Sequence, residues 1–212
     1  MCGIFCTFNS IKLKELYNLN KDRGNISQSI IEFNSENMID SIKKSHDNII
    51  ESHIIKNSNY AICHIQAPTN GLFTNFSRIH PACRDNKLLW HNGIIKDSSL
   101  KQLSKIFNIS NIDWDTQFIL DLIYENTLEK TLSILDGSFA CIYYNGVELF
   151  LFRNEIAPLF IDNELNISST PFENSNEIDP NAIYKLNLKN KSIEIVNKFE
   201  ANYQQPYFFF EE

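Results

Sequence analysis

The chain has 212 residues, 43% of them hydrophobic and 21% charged, proportions that exclude a disordered or fibrous chain and predict a packed core. The length predicts one domain over residues 2–212. Lys and Arg number 19 against 26 Asp and Glu, and a net charge of −7 repels phosphate backbones, so nucleic acid is not expected as a direct ligand.

Residues Cys2 to Phe8 are apolar with almost no polar relief, the pattern of a strand buried on both faces. Ser10 is a helix cap for the segment in which Ile11, Leu13, Leu16 and Leu19 recur before Arg23-Gly24 ends the period. Ser29 to Phe33 reads as a strand, and Glu36 to Ile50 as an amphipathic helix burying Met38, Ile39, Ile42, Ile49 and Ile50. Tyr60 to Gln66 alternates as a strand and runs into the turn formers Pro68, Thr69, Asn70 and Gly71. Leu88 to Trp90 is a further strand leading into His91-Asn92-Gly93, and helices follow over Ser98 to Phe107, Thr116 to Glu125 and Leu128 to Leu135. After Gly137 the period is that of strands: Phe139 to Tyr144, Val147 to Phe152, Leu159 to Ile161, Ile183 to Leu188 and Ile193 to Val196. This order predicts an α+β fold with antiparallel sheet and segregated helices rather than alternating βαβ units. No P-loop, GxGxxG, repeat or linker is present, and the aromatic, acidic tail over residues 200–212 is a candidate partner contact.

The cysteines Cys2, Cys6, Cys63, Cys83 and Cys141 are odd in number, scattered and without CxxC spacing, which predicts reduced thiols in a cytoplasmic protein. No run approaches the roughly 18 apolar residues of a membrane span, and the start lacks the charged and apolar regions of a signal peptide. Membrane binding is not expected.

Cys2 carries the sharpest chemical possibility. Removal of Met1 leaves a thiol and a free α-amine on one residue, and an amine with a pKa of about 7.7–8.0 can take the proton of a thiol near 8.5. Its alternative is a buried cysteine packing as a small hydrophobe. An oxyanion formed by thiolate attack on an amide needs donors, which the Asn92 side chain and the Gly93 N–H can supply; the alternative there is an Asn-Gly turn. Asp115 is a carboxylate for a substrate ammonium or else a helix N-cap.

Only 6 glycines occur, at positions 3, 24, 71, 93, 137 and 146, so each answers a backbone need. All but Gly146 fall in segments that resemble, in order, those of class II glutamine amidotransferase domains, the N-terminal-nucleophile group of asparagine synthetases and glucosamine-6-phosphate synthases. Met1-Cys2-Gly3-Ile4 resembles the family's start, and Leu16-x-x-Leu19 with Arg23-Gly24 and Ser27 its L-x-x-L…R-G-x-x-S segment. His64-Ile-Gln66-Ala-Pro-Thr69-Asn-Gly71 is similar to H-x-R-x-x-T-x-G, and His91-Asn92-Gly93-Ile94-Ile95 matches the oxyanion motif. Asp115-Thr116-Gln117 resembles D-T-E, Leu135-Asp-Gly137-Ser-Phe139-Ala140 resembles L-x-G-x-F-A, and Phe152-Arg153 through Pro158-Leu159 is similar to the later R-D…P-L pair.

The resemblance implies an N-terminal-nucleophile hydrolase fold, a four-layer αββα sandwich of two antiparallel sheets. It implies glutamine as substrate, Cys2 as nucleophile forming a γ-glutamyl thioester, Asn92 and Gly93 as oxyanion donors, and neither metal nor cofactor. Asp115 would hold the substrate α-ammonium, Thr69 the α-carboxylate, and Arg23 would support the nucleophile at the substrate-binding site. Gln66 stands where the family carries an arginine, which removes a bidentate charged contact to the carboxylate. Arg78 or Arg84 would then replace it, or the substrate is another γ-glutamyl amide. Ala67 stands at the position of an aromatic gate. Relatives continue into a synthetase, transferase or isomerase domain, so the resemblance further implies a separate ammonia-accepting synthetase or transferase as partner protein. A domain that binds without turnover is the non-enzymatic alternative.

Overall fold

The structure, a computed structural model, describes residues 2–67, 75–110 and 112–202. In chain order the elements are β1 (Gly3–Thr7), α1 (Ser10–Asn20), β2 (Ser27–Phe33), β3 (Ile39–Ser45), β4 (Tyr60–Gln66), β5 (Ala82–Arg84) and β6 (Lys87–Ile95). There follow α2 (Asp97–Phe107), α3 (Asp115–Glu125), α4 (Leu128–Ile134), β7 (Gly137–Tyr144), β8 (Leu149–Arg153), β9 (Phe160–Ile161), β10 (Ile167–Ser168), β11 (Asn176–Glu177), β12 (Ala182–Asn187) and β13 (Ser192–Lys198).

The strands form two sheets of antiparallel neighbours. One has seven strands in the order β11-β9-β10-β1-β4-β2-β3, the other six in the order β13-β12-β8-β7-β6-β5. Strand alternation assigns the faces. Ile4, Cys6, Ile31, Phe33 and Ile62 of the first sheet pack against Leu88, Trp90, Ile142 and Leu151 of the second, forming the layer between the sheets. The intervening residues Phe5, Ile30, Ala61 and Cys63 face outward and bury Leu13, Leu16 and Tyr17 of α1. Leu89, Cys141, Tyr143 and Phe152 face outward from the second sheet onto α2, α3 and α4. The layers therefore run αββα, as the resemblance implies.

β1 is buried along its whole length between β4 and β10. The strand expected over 88–90 extends through Ile95, so His91-Asn92-Gly93 lies within a ladder and forms no hairpin turn. Asn9, not Ser10, caps α1: its Oδ1 accepts the N–H groups of Ile11 and Lys12, while the Ser10 hydroxyl accepts that of Ile55. All five cysteines are free. Among the described residues no helix is long and apolar enough to cross a membrane.

The segment expected as a helix over 36–50 is instead the edge strand β3 and a loop. Asn34 accepts the N–H groups of Glu36 and Met38 at 3.0 Å each and Asn37 adopts a left-handed φ of 57°, which turns the chain back onto β2. The apolar spacing of Met38 and Ile42 suits a strand face as well as a helix face. Because β3 is an edge strand, Met38 and Ile42 are 58% and 53% exposed, while Ile39 packs on the inter-sheet layer and Ile50 under α1.

Outside the first sheet, buried Glu32 of β2 accepts His53 Nε2 at 2.8 Å, Asn59 Nδ2 at 3.1 Å and the Lys56 N–H at 3.3 Å. Glu32→Ala takes the acceptor from buried His53 and one of the two acceptors from Asn59 Nδ2, which keeps Asp40, and is expected to destabilise the fold by about 3 kcal/mol, with a lower urea midpoint at unchanged slope. A midpoint equal to wild type would show that the loop over 46–59 is held by other contacts.

Candidate active site

The site is built where β1, β4 and β6 end together. Cys2 precedes β1 and is 8% exposed. Its carbonyl accepts the Arg23 Nε–H at 2.8 Å, and its Sγ receives the Ala67 N–H at 3.4 Å. Arg23 closes the 3-10 turn that follows α1, and Ala67 follows β4. The two arms are pressed together at Gly24, where an added Cβ would lie 2.4 Å from the Gln66 carbonyl and 2.6 Å from the Ala67 nitrogen. The Ile26 N–H donates to the Gln66 carbonyl at 3.1 Å and completes the contact.

Burial pushes the Cys2 thiol up to about 11; the Asp115 carboxylate acts in the same direction, while the Ala67 N–H and Arg23 oppose both. The sulfur is therefore protonated near neutral pH and needs a base to become a nucleophile.

Asn92 of β6 is fully buried. Its Nδ2 donates to Ser169 Oγ at 3.4 Å, and its Oδ1 is buried without a hydrogen-bond partner among the described residues. Ser169 in turn accepts the Ile4 N–H at 3.0 Å and donates its own N–H to the Ile4 carbonyl at 2.8 Å. The Asn92 amide is thus tied to Ile4 of β1, two residues from Cys2.

Gly93 has φ 153°, and an added Cβ would lie 2.0 Å from the Ser138 carbonyl oxygen. Phe139, directly opposite Gly93 in the ladder, spends both backbone groups on Asn154: its N–H donates to Asn154 Oδ1 and its carbonyl accepts the Asn154 N–H. The Gly93 N–H therefore points away from β7. On that side β5 has already ended, its last pairing being with Leu89.

Asp115 is the first residue of α3, preceded by Trp114 at the cap position. Its Oδ1 accepts the Thr116 N–H at 2.8 Å and its Oδ2 the Ile95 N–H at 3.3 Å, and its side chain is 23% exposed. Burial alone raises this carboxyl, but the His91 ring and the two N–H groups outweigh it and hold the group below the usual carboxylate range. It presents a carboxylate, partly open, two residues beyond the Gly93 step.

Gln66 ends β4 with its Oε1 accepting the Ser27 hydroxyl at 2.8 Å, so its NH2 is the end left to donate. Thr69 lies outside the described residues, as does the tail beyond 202. Arg84 is committed elsewhere: it reaches Asp121 and Glu125 of α3 and lies over the Tyr124 ring at 3.7 Å. Arg78 meets Asp113, at 3.3 Å to its carbonyl and 3.6 Å to its carboxylate. Among the described residues no group of three or more His, Cys, Asp or Glu side chains has metal-holding geometry. Ser169 did not stand out in the sequence, where it lies in a polar Ser168-Ser169-Thr170 run outside every expected element.

No family model matches the chain, and no curated protein matches it. Solved structures do. Glutamine phosphoribosylpyrophosphate amidotransferase from B. subtilis, complexed with ADP and GMP, aligns with 95% of this chain and 50% of its own at 15% identity and a TM-score of 0.66. A structure of the allosteric regulatory enzyme of purine biosynthesis aligns with the same shares at 18% identity and a TM-score of 0.68. A glutamine aminotransferase class-II domain protein from Silicibacter pomeroyi aligns with 88% of this chain and 94% of its own at 10% identity and a TM-score of 0.50. The chain therefore spans half the length of the first two, and it carries the fold of class II glutamine amidotransferase domains.

Gly93→Ala forces a Cβ into the Ser138 carbonyl at a φ that side chains avoid. It is expected to lower stability by about 3 kcal/mol, read from chemical denaturation. A wild-type midpoint would mean that this step of β6 yields freely.

Proposed function

We propose that the chain hydrolyses the side-chain amide of glutamine through Cys2, releasing ammonia for a separate acceptor enzyme. The observation that carries this reading is the convergence at Cys2: Arg23 holds its carbonyl, Ala67 meets its sulfur, and Ser169 ties the Asn92 amide to the next turn of the same strand.

Loss of Met1 frees the α-amine of Cys2, which accepts the thiol proton directly or through a water. The thiolate forms a C–S bond to the amide carbon, and the carbonyl π electrons move onto oxygen. One N–H of the Asn92 amide serves Ser169; the other, with the outward Gly93 N–H, is available to that oxyanion. Collapse of the intermediate breaks the C–N bond, the ammonium returns its proton to the leaving nitrogen, and ammonia departs. Water then hydrolyses the γ-glutamyl thioester to glutamate and restores the thiol.

Asp115 receives the α-ammonium. Arg23, with Nη2 buried and unpartnered among the described residues, stands beside the sulfur as a cation for the thiolate. Gln66 and Thr69 would meet the carboxylate end. The matched half of each of the first two amidotransferase structures is joined to as much chain again, and we place the acceptor step outside the described residues.

A second reading keeps the nucleophile and changes the substrate to another γ-glutamyl amide. It is favoured by Gln66, a neutral group already tied to Ser27. Hydrolysis of glutamine compared with γ-glutamyl peptides and amides separates the two.

Cys2→Ala is expected to abolish ammonia release and covalent labelling by a diazo-ketone glutamine analogue. Labelled wild type that still carries Met1 by intact mass would overturn the mechanism. Asn92→Ala is expected to slow turnover by about 10²–10³. Gln66→Arg is expected to lower KM for glutamine, and an unchanged KM would place the carboxylate's charge partner elsewhere. The pH profile of kcat/KM is expected to rise through the pKa of an α-amine, about 7.7–8.0, and then level.

A further inference from the structure

Three histidines are buried side by side behind the site: His64 of β4, His91 of β6, and His80, which lies just before β5. The His64 and His80 rings stack with centroids 3.9 Å apart and planes 18° apart, and Trp114 meets the His80 ring edge-on at 5.2 Å. His64 Nε2 lies 3.3 Å from the His91 carbonyl, and His91 Nε2 lies 3.2 Å from the Ser138 carbonyl. A carbonyl only accepts, so both Nε2 atoms carry hydrogen. Burial lowers His64 to about 3 and His80 well below its ordinary value, so these two rings are neutral in any working range.

Thr116 joins the rings. Its Oγ1 is 2.9 Å from His80 Nε2 and 3.4 Å from His91 Nδ1, and that Nδ1 is 3.6 Å from Asp115 Oδ2. The same hydroxyl lies 3.5 Å from Asp115 Oδ1, so Thr116 bridges the His80 ring to both His91 and the carboxylate. His80 itself is held by Lys44 of β3, whose ammonium donates to the carbonyls of Ile79 and Pro81 at 2.7 Å each.

Three members of this column lie next to or near candidate site residues in sequence. His91 precedes Asn92, Thr116 follows Asp115, and His64 lies two residues before Gln66. We propose that His80 is a positioning residue for Asp115: acting through Thr116 and His91, it keeps that carboxylate in register with Asn92. This rests on the amide-hydrolase reading above, in which Asp115 receives the substrate ammonium. His80 touches none of the reacting atoms, so its effect falls on substrates that use that ammonium.

His80→Phe keeps a stacking ring and removes the nitrogen that meets Thr116; His80→Gln keeps a hydrogen-bonding amide at the reach of Nε2 and gives up the ring. Each is compared with wild type on L-glutamine and on glutaramate, the same amide without the α-ammonium. His80→Phe is expected to raise KM for glutamine about tenfold with kcat within about twofold and KM for glutaramate unmoved. Thr116→Val is expected to share this signature, and His80→Gln to recover most of the loss. Equal losses on both substrates, or no recovery in His80→Gln, would overturn the proposal. Should wild type turn over neither substrate, the amide-hydrolase reading fails by itself and ring ¹⁵N spectra decide the positioning. The Nε2-protonated pattern of His91 is then expected to change in His80→Phe, and an unchanged pattern overturns the proposal.

Discussion

Burial of a central strand between two neighbours fixes the residue just before it, and that constraint organises the site. β1 is buried between two neighbours from Gly3 onward, so Cys2 has no freedom to wander and its sulfur sits wherever the sheet ends. Arg23 fixes the carbonyl of the same residue. The burial that places the thiol also raises its pKa, to about 11, so position and reactivity are opposed. In the proposed mechanism, a base supplied by the cysteine's own nitrogen would resolve the opposition without importing a second titratable side chain into a dry corner.

The second sheet contributes Asn92 and Gly93. Asn92 is fully buried, with one amide N–H on Ser169 and an Oδ1 that has no partner among the described residues, an unmet acceptor that costs about 1–3 kcal/mol. Gly93 is freed by a neighbour: because Asn154 takes both backbone groups of Phe139, the ladder opposite Gly93 makes no claim on its N–H. Ser169 then ties the Asn92 amide to β1, so a single hydroxyl joins the two sheets beside Cys2.

The layered fold was largely legible because burial and strand period coincide in β1, β4 and β7, and because helix period is clear in α2 and α3. It was illegible over 36–50 for a physical reason. β3 is an edge strand, and its exposed Met38 and Ile42 carry no burial signal while their spacing fits either period. The candidate residues Cys2, Arg23, Asn92, Gly93 and Asp115 stood out through an ordered resemblance, since they lie in short local motifs. Ser169, Thr116 and His80 act only through contacts between distant elements, such as the bond from Ser169 to Ile4 across 165 residues, and no local pattern encodes them.

The charges around the site are unequal in a way that bears on what it accepts. An α-amino acid brings one cation and one anion. For the cation there is Asp115, held ionised and partly open. For the anion the described residues offer the Gln66 amide, whose oxygen is spent on Ser27. Arg84 is spent on Asp121 and Glu125, and Arg78 on Asp113. Arg23 is directed at Cys2, so under the proposed mechanism its charge would act on the thiolate rather than on a distant carboxylate. On that reading recognition at the described residues would lean on the ammonium, and a carboxylate held by neutral donors alone contributes far less than one held by a guanidinium fork. A substrate whose carboxylate is masked in an amide or peptide bond would lose little on entering such a site.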